Sequence, residues 1–175
     1  MIRTFEGITP TLGEGAWVDD SAQVIGDVVI GADSSVWPLA TIRGDVNAIR
    51  IGARTNVQDN SVLHVTHDGP FSPGGLPLVI GDDVTVGHGV ILHACTIGNR
   101  VLIGMGSLVM DDAVIEDDVL LAAGSLVPPG RRLLAGHLYR GRPAEPARKL
   151  TAAECEQLRY SAAHYVRVKN RHAGG

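Results

Sequence analysis

A six-residue spacing of aliphatic side chains runs through most of this 175-residue chain. The spacing fits neither the 3.6-residue period of a helix nor the two-residue alternation of an ordinary strand. A triangular coil satisfies it, because three hexapeptides can each supply one flat face and one corner, and stacked coils bury an apolar column that no single repeat buries alone. The spaced positions are Val18, Val24, Ile30, Val36, Ile42, Ile51, Val57, Leu63, Ile80, Val86, Leu92, Ile97, Ile103, Val109, Ile115, Leu121 and Val127.

This repeat sets the predicted domain boundaries. We predict an all-β solenoid over residues 1–130, with about six coils between residues 14 and 130. Three prolines and three glycines interrupt the period at 68–78, which indicates an extruded loop. An irregular connector is predicted over 131–149. A capping box at Thr151 and Glu154 predicts a helix over 150–170 that packs on the solenoid or on a neighbouring subunit. An irregular β-sandwich is the alternative architecture.

The overall composition excludes several kinds of partner. The formal net charge is −4 and the pI is near 5.9, so nucleic acid and anionic membranes are poor partners. Charges or glycines interrupt every apolar stretch before the roughly 18 residues that a membrane span needs, so we expect a cytoplasmic protein. Cys95 and Cys155 lack metal-type spacing, and we interpret both as reduced thiols, with Cys95 a small buried hydrophobe.

Three histidines lie together on the repeat coils: His64, His88 and His93. Three neutral imidazoles with an open fourth position are the usual arrangement of catalytic zinc, and imidazole also suits iron and cobalt. On one straight coil His88 and His93 fall on neighbouring faces and do not easily share an ion. Two copies of the chain packed side by side remove that difficulty. The alternative is a set of surface or interface histidines without a metal.

Several further segments accompany these histidines. They are Ser35-Val36-Trp37-Pro38, Ile42-Arg43-Gly44-Asp45, Asn56-Val57-Gln58-Asp59-Asn60, residues 64–67, residues 87–93 and His164-Tyr165-Val166. Together they resemble the gamma-class carbonic anhydrases over nearly the whole chain. The resemblance implies a left-handed β-helix that forms a homotrimer. It also implies Zn2+, with Fe2+ or Co2+ possible, bound by His64 and His93 of one subunit and His88 of its neighbour.

The resemblance also assigns roles to five polar residues. Arg43 and Asp45 match a pair at the subunit interface, where each would offset the desolvation of the other. Gln58 matches a residue that orients the metal-bound hydroxide, Asp59 is its polar neighbour, and Tyr165 matches a helix tyrosine that approaches bicarbonate. The alternatives are a structural salt bridge for the first pair, turn formation for Gln58 and Asp59, and core packing for Tyr165.

The implied reaction is the reversible hydration of CO2. A metal-bound hydroxide would attack CO2 to give bicarbonate, and turnover would require the export of a proton. The loop at 68–78 contains Asp68 but no glutamate, unlike the acidic loop of the family's best-known members. His67 is a substitute proton relay or only a polar neighbour of the site.

Three other functions remain open at this stage. Acyl-CoA thioester hydrolysis would use the same metal site. An acetyltransferase with a single catalytic histidine would leave the other two histidines unexplained. A metal-bearing scaffold subunit with little catalysis of its own belongs to a different class, because fold alone does not fix function.

Overall fold

Nearly the whole chain winds into a parallel β-helix of about eight turns. The structure is a computed structural model and describes residues 1–174. Its strands are β1 (Ile2–Arg3), β2 (Thr11–Leu12), β3 (Trp17–Val18), β4 (Gln23–Ile30), β5 (Ser35–Val36), β6 (Thr41–Ile51), β7 (Asn56–Val57), β8 (Val62–His64), β9 (Leu78–Ile80), β10 (Thr85–Val86), β11 (Ile91–His93), β12 (Thr96–Ile97), β13 (Leu102–Ile103), β14 (Leu108–Val109), β15 (Val114–Ile115), β16 (Leu120–Leu121), β17 (Leu126–Val127), β18 (Arg132–Leu133), β19 (His137–Arg140) and β20 (Glu145–Lys149). One helix, α1 (Ala152–Ala173), follows them.

The short strands stack in three faces. From β7 to β16, each strand pairs in parallel with the third strand further along the chain, as β10 does with β13, β11 with β14 and β12 with β15. Face A contains β3, β5, β7, β10, β13, β16 and β19. Face B contains β8, β11, β14 and β17, and face C contains β9, β12, β15 and β18. The longer strands β4 and β6 bend around the corner from face B to face C. The predicted fold class is therefore confirmed.

The spaced aliphatic residues form the core. All of the predicted positions are buried except Val18, which packs partly buried against the column. Ser34 and Ser61, each four residues after a spaced aliphatic, are also buried, and their hydroxyls bond to the backbone of the next coil. The hydroxyl of Ser34 donates to the carbonyl of Gly52 at 2.7 Å, and that of Ser61 donates to Gly87 at 2.9 Å. Within residues 1–174, no buried side-chain nitrogen or oxygen lacks a hydrogen-bond partner.

One hairpin interrupts the stack. Residues paired between the later coils are 18 apart, whereas Leu63 pairs with Leu92, 29 residues away, so this coil holds 11 extra residues. Thr66 and Leu76 exchange two backbone hydrogen bonds of 3.0 Å and close the excursion. Leu78 is fully buried in β9. The predicted loop at 68–78 thus lies in the hairpin as far as Leu76. Its last residue, Leu78, already belongs to β9 of the solenoid.

The segment 131–149, expected to be an irregular connector, instead contains three strands. β18 and β19 continue faces C and A, and β20 adds an antiparallel strand to β19. The reason is that Leu133 and Tyr139 continue the six-residue spacing beyond Val127, and both are buried. Pro128, Pro129 and Gly130 precede the predicted connector but do not end the repeat, because they lie between β17 and β18.

Helix α1 lies on face A. It begins at the predicted capping box, in which Thr151 and Glu154 satisfy each other's backbone N–H groups. Leu158 and Ala162 are buried against the solenoid, and Ser161 shares a hydrogen bond of 2.9 Å with Thr85 of β10. The helix therefore packs on its own β-helix. Among the described residues, no helix combines the length and apolarity that a membrane crossing requires.

The leucine pair at β18 tests whether the segment after residue 130 belongs to the column. Leu133 is fully buried, whereas its neighbour Leu134 is 54% exposed. We expect Leu133→Ala to lower the free energy of unfolding by about 2–5 kcal/mol, because it opens a cavity in the core. Leu134→Ala should change it by about 0.5 kcal/mol or less. Urea unfolding followed by circular dichroism measures both, and equal effects would contradict this assignment.

Candidate metal centre

Two of the predicted ligands meet at one edge of face B. His64 ends β8 and His93 ends β11, and the two residues are paired in register on adjacent coils. Their inward-facing neighbours Leu63 and Leu92 fill the core, so strand alternation turns both imidazoles outward. The Nδ1 atom of His64 lies 3.2 Å from the Nε2 atom of His93. The side chains are 20% and 35% exposed, so a group outside the chain can reach them.

A carboxylate contacts the second nitrogen of each ring. Nε2 of His64 lies 3.1 Å from Asp45, and Nδ1 of His93 lies 2.6 Å from Asp111. Metal-binding histidines in proteins are commonly oriented in this way, with one nitrogen held by a carboxylate and the other directed at the ion. The hydroxyl of Thr66 in turn donates to Asp111. The two rings are therefore fixed by the protein before any ion binds.

The electrostatics of this edge favour neutral imidazole at His64. Burial lowers the pKa of His64, and the nearby Arg43 guanidinium lowers it further, against the opposing effect of Asp45. Burial alone would raise the pKa of the Asp45 carboxyl, but hydrogen bonds from Arg43 and His64 outweigh it and the pKa is lowered. A neutral ring beside an ionised carboxylate is the protonation state that a metal ligand requires.

The donor geometry fits a tetrahedral ion. Zinc–nitrogen bonds of about 2.0–2.1 Å at a tetrahedral angle would place two ligand nitrogens about 3.3 Å apart. The facing nitrogens of His64 and His93 are 3.2 Å apart. Within residues 1–174, however, no three His, Cys, Asp or Glu side chains come together as a metal site. Within one chain, this edge therefore supplies two imidazole nitrogens at a spacing that an ion could bridge.

The third predicted ligand, His88, lies at the other edge of face B. It follows β10 of face A and precedes β11, whose far end carries His93. Its side chain is 50% exposed, and Nδ1 lies 2.9 Å from Asp59. His88 therefore has the same arrangement as the other two rings, with one nitrogen held by an aspartate. Asp59, predicted only as a polar neighbour of Gln58, contacts His88 directly.

A cavity of about 380 Å³ adjoins His88 between α1 and face A. Gln58 and Tyr165 line it together with His88, and most of the remaining wall is apolar. Gln58 is buried, and its Nε2 donates to Asn56 at 3.0 Å, which fixes the side-chain amide. The structure therefore brings Gln58, Asp59, Tyr165 and His88 to one edge of face B. Arg43 and Asp45 lie with His64 at the other edge.

Tyr165 is held by aromatic packing. Its ring lies 5.5 Å from that of Trp37 at a steep angle, an edge-to-face contact. Burial raises the pKa of the Tyr165 phenol, the charge of Asp59 raises it further, and a hydrogen bond with Gln58 partly offsets both. The phenol therefore stays protonated across the neutral range and can donate a hydrogen bond toward the cavity.

Arg43, the two cysteines and His67 are the remaining residues for which the sequence led to an expectation. Arg43 forms an ion pair with Asp45, which also contacts His64. The Arg43 side chain remains 43% exposed to solvent. Cys95 is buried, and burial raises the pKa of its thiol well above the ordinary value, as expected for a packed hydrophobe. Both cysteines are free. His67 lies exposed on the hairpin and lines a cavity of about 330 Å³ that Asp111 also lines.

Sequence reasoning missed Asp111 and Thr66. The register between β11 and β14 pairs Leu92 with Val109, 17 residues apart, so Asp111 lies one position beyond the one that stacks on His93. Its side chain reaches Nδ1 of His93 from the end of β14, and the repeat count alone does not indicate this contact.

Comparison with known proteins agrees with this fold. Residues 9–44 and 94–129 match the family described as bacterial transferase hexapeptide (six repeats). The chain is 53% identical to protein YrdA of Escherichia coli over 97% of its length and 92% of that protein. It is 42% identical to a carbonic anhydrase of Geobacillus kaustophilus, covering 95% of this chain and 87% of that one. Gamma carbonic anhydrase 2 of Arabidopsis thaliana, a mitochondrial protein, is also 42% identical, over 94% of this chain and 59% of that protein.

A solved structure shows the same architecture. The hexapeptide transferase family protein of Anaplasma phagocytophilum superimposes with a TM-score of 0.89 at 42% identity, covering 97% of this chain and 96% of that one. The repeat and the stacked coils define a hexapeptide-repeat β-helix protein. Within that class, the identity to named carbonic anhydrases over almost the full length shows that the chain belongs to the gamma-class carbonic anhydrase family, as the resemblance implied.

The raised pKa of Tyr165 can be measured directly. Its phenol should ionise above the ordinary value of 10.0, and Asp59→Asn should lower that pKa because a negative charge is removed. The exposed Asp20→Asn is the matched control and should leave it unchanged. Absorbance of the phenolate, with Tyr165→Phe to identify the transition, measures the pKa.

The same shift has a consequence for stability. A raised pKa in the folded state means that the contribution of Tyr165 to stability is complete below pH 10 and is lost as the pH rises through the folded-state value. Tyr165→Phe should therefore reduce the loss of stability in this alkaline range. An identical alkaline profile in the variant would contradict the assignment.

Proposed function

We propose that this chain catalyses the reversible hydration of CO2 at a metal site shared between the subunits of a homotrimer. The observation that carries the proposal is the pair of facing nitrogens on His64 and His93, each ring held from behind by an aspartate. His88, held by Asp59 at the opposite edge of the same face, supplies the third imidazole from a neighbouring copy. Zn2+ suits three imidazoles, and Fe2+ or Co2+ is also compatible with them.

His64 and His93 lie at one edge of face B and His88 lies at the other, and this arrangement favours a ring of subunits. An interface that joins two different edges is heterologous, and such an interface closes into a ring when its rotation matches the subunit number. The face between the two edges carries exposed aliphatic side chains, with Val62 beside Ile91 on adjacent strands, each about 40% exposed. Exposed aliphatic clusters of this kind are typical of subunit contacts. A closed trimer would hold three equivalent sites.

In the proposed reaction, each polar residue near the metal site would have a separate role. When bound, the metal acts as a Lewis acid that makes water nucleophilic near neutral pH, an effect for which carbonic anhydrase is the standard example. Asp45, Asp111 and Asp59 keep the three histidine rings oriented. Gln58, fixed by Asn56, would orient the attacking water through its side-chain amide.

The other polar groups would act on the product and the interface. Tyr165 donates its phenolic proton in a hydrogen bond to bicarbonate. Arg43 supplies positive charge at the interface and keeps Asp45 ionised. The apolar wall beside His88 accommodates CO2, which carries no net charge.

Mixing two inactive variants tests the shared site. His88→Ala and His93→Ala should each abolish CO2 hydration and metal binding in a homotrimer. Refolded together in equal amounts, they should recover about a quarter of the wild-type activity, because three quarters of the trimers are mixed and each mixed ring has one intact site of three. CO2 hydration by zinc-loaded protein, and by protein loaded anaerobically with iron, is the assay, with metal content per chain beside it.

Controls separate this result from trivial causes. His137→Ala, a histidine away from both edges, should keep full activity, and molar mass in solution should confirm that each variant is still trimeric. No recovery on mixing would show that the site is not shared. A trimer that binds one metal per chain yet leaves CO2 unhydrated would overturn the proposed reaction.

Acyl-CoA thioester hydrolysis at the same site is a second candidate. The cavity beside His88, at about 380 Å³, is several times larger than CO2 requires and is lined by Leu102, Ile103 and Met105. Such a wall suits an acyl chain. Hydrolysis of a panel of thioesters that is lost in His88→Ala, without CO2 hydration by the same preparation, would favour this reaction over the first.

A further inference from the structure

A chain of hydrogen bonds runs from His93 to the base of the hairpin. Nδ1 of His93 lies 2.6 Å from Oδ1 of Asp111, and Oδ2 of Asp111 accepts from the hydroxyl of Thr66. Both carboxylate oxygens of Asp111 are therefore engaged. Asp111 is half-buried, and its partners are a ring on the coil below and a hydroxyl on the coil that carries the hairpin.

The position of Thr66 depends on the hairpin. Thr66 exchanges backbone hydrogen bonds of 3.0 Å with Leu76, and these bonds close the 11-residue insertion. Its side chain points to Asp111, so the closure of the hairpin fixes the hydroxyl that holds the carboxylate. His67 and Phe71 of the same hairpin line the cavity that Asp111 also lines.

We propose that Asp111 is a positioning residue for His93 and that Thr66 links this position to the hairpin. The inference rests on the proposed function and deepens it, because it names what keeps Nε2 of His93 available to an ion. Asp111 accepts a hydrogen bond from Nδ1–H of His93, which leaves the lone pair on Nε2, the atom that faces His64. Without Asp111 the ring can rotate and carry its proton on either nitrogen. Thr66 prevents the carboxylate itself from turning away.

The charge of Asp111 adds to this effect. Its two carboxylate oxygens accept hydrogen bonds from Thr66 and from His93, as an ionised carboxylate does. An ionised acceptor makes the imidazole a stronger electron donor toward a cation, and outer partners of this kind commonly change metal affinity by about 10–100-fold.

Adjacent aspartates provide a matched test. Asp111→Ala should weaken zinc binding by about 10–100-fold, and Asp111→Asn, which keeps the shape and one acceptor, by less. Asp112→Asn is the control, because Asp112 is exposed and its left-handed backbone, with φ of 58°, tolerates asparagine. Zinc ion titrated against a chelator measures affinity in full-length trimer. Thr66→Val should also weaken binding, whereas Thr66→Ser should restore it.

Two further readouts separate positioning from a merely structural role. At saturating Co2+, the visible absorption spectrum of Asp111→Ala should differ from that of wild type, because one ligand is reoriented. In metal-free protein labelled with 15N at histidine, the ring proton of His93 should reside on Nδ1 in wild type and distribute between both nitrogens in Asp111→Ala. Circular dichroism and molar mass confirm that each variant remains folded and trimeric.

The outcomes are distinguishable. Unchanged zinc affinity and an unchanged cobalt spectrum in Asp111→Ala, or a His93 proton on Nε2 in the wild type, would overturn the positioning role. If wild-type protein binds no zinc and does not hydrate CO2, the proposed function fails instead. The tautomer of His93 in metal-free protein then still decides whether Asp111 orients the ring.

Discussion

The parallel register between successive coils is the constraint on which the rest of this structure depends. Paired residues lie 17 or 18 apart in the regular coils, so side chains at equivalent positions of successive coils stack in columns. The aliphatic column forms the core, and the same stacking places His64 beside His93, which Asp111 contacts from the end of a strand on the following coil. A slip of one residue would turn the core outward and separate these groups. Stability and the candidate site therefore share one cause.

The site is assembled from repeated local units. Each of the three histidines contacts an aspartate through one ring nitrogen, and each histidine lies at an edge of face B. The cavity beside His88 lies between α1 and face A, away from the edge that carries His64 and His93. The proposed function therefore places the metal site between copies of the chain, where the two edges would meet.

Much of this arrangement was predictable from the sequence. The spacing of Val86, Leu92 and Ile97 gave the column, and Thr151 with Glu154 gave the start of the helix. The continuation through Leu133 was missed because a Pro-Pro-Gly sequence usually ends regular structure, whereas here it lies between two strands of the repeat. Asp111 was missed because it lies one position beyond the one that stacks on His93, so the repeat register does not indicate their contact.

The sequence by itself determined the repeat, the buried column and the residue types at the candidate site, since these follow from periodicity and side-chain chemistry. Tertiary structure alone decided which polar groups meet. The 11-residue hairpin changes the interval between His64 and His93 from 18 to 29 residues, and only backbone pairing across that insertion restores their register. The docking of α1 on face A likewise brings Tyr165 to Gln58, a contact between residues over 100 positions apart that no local pattern encodes.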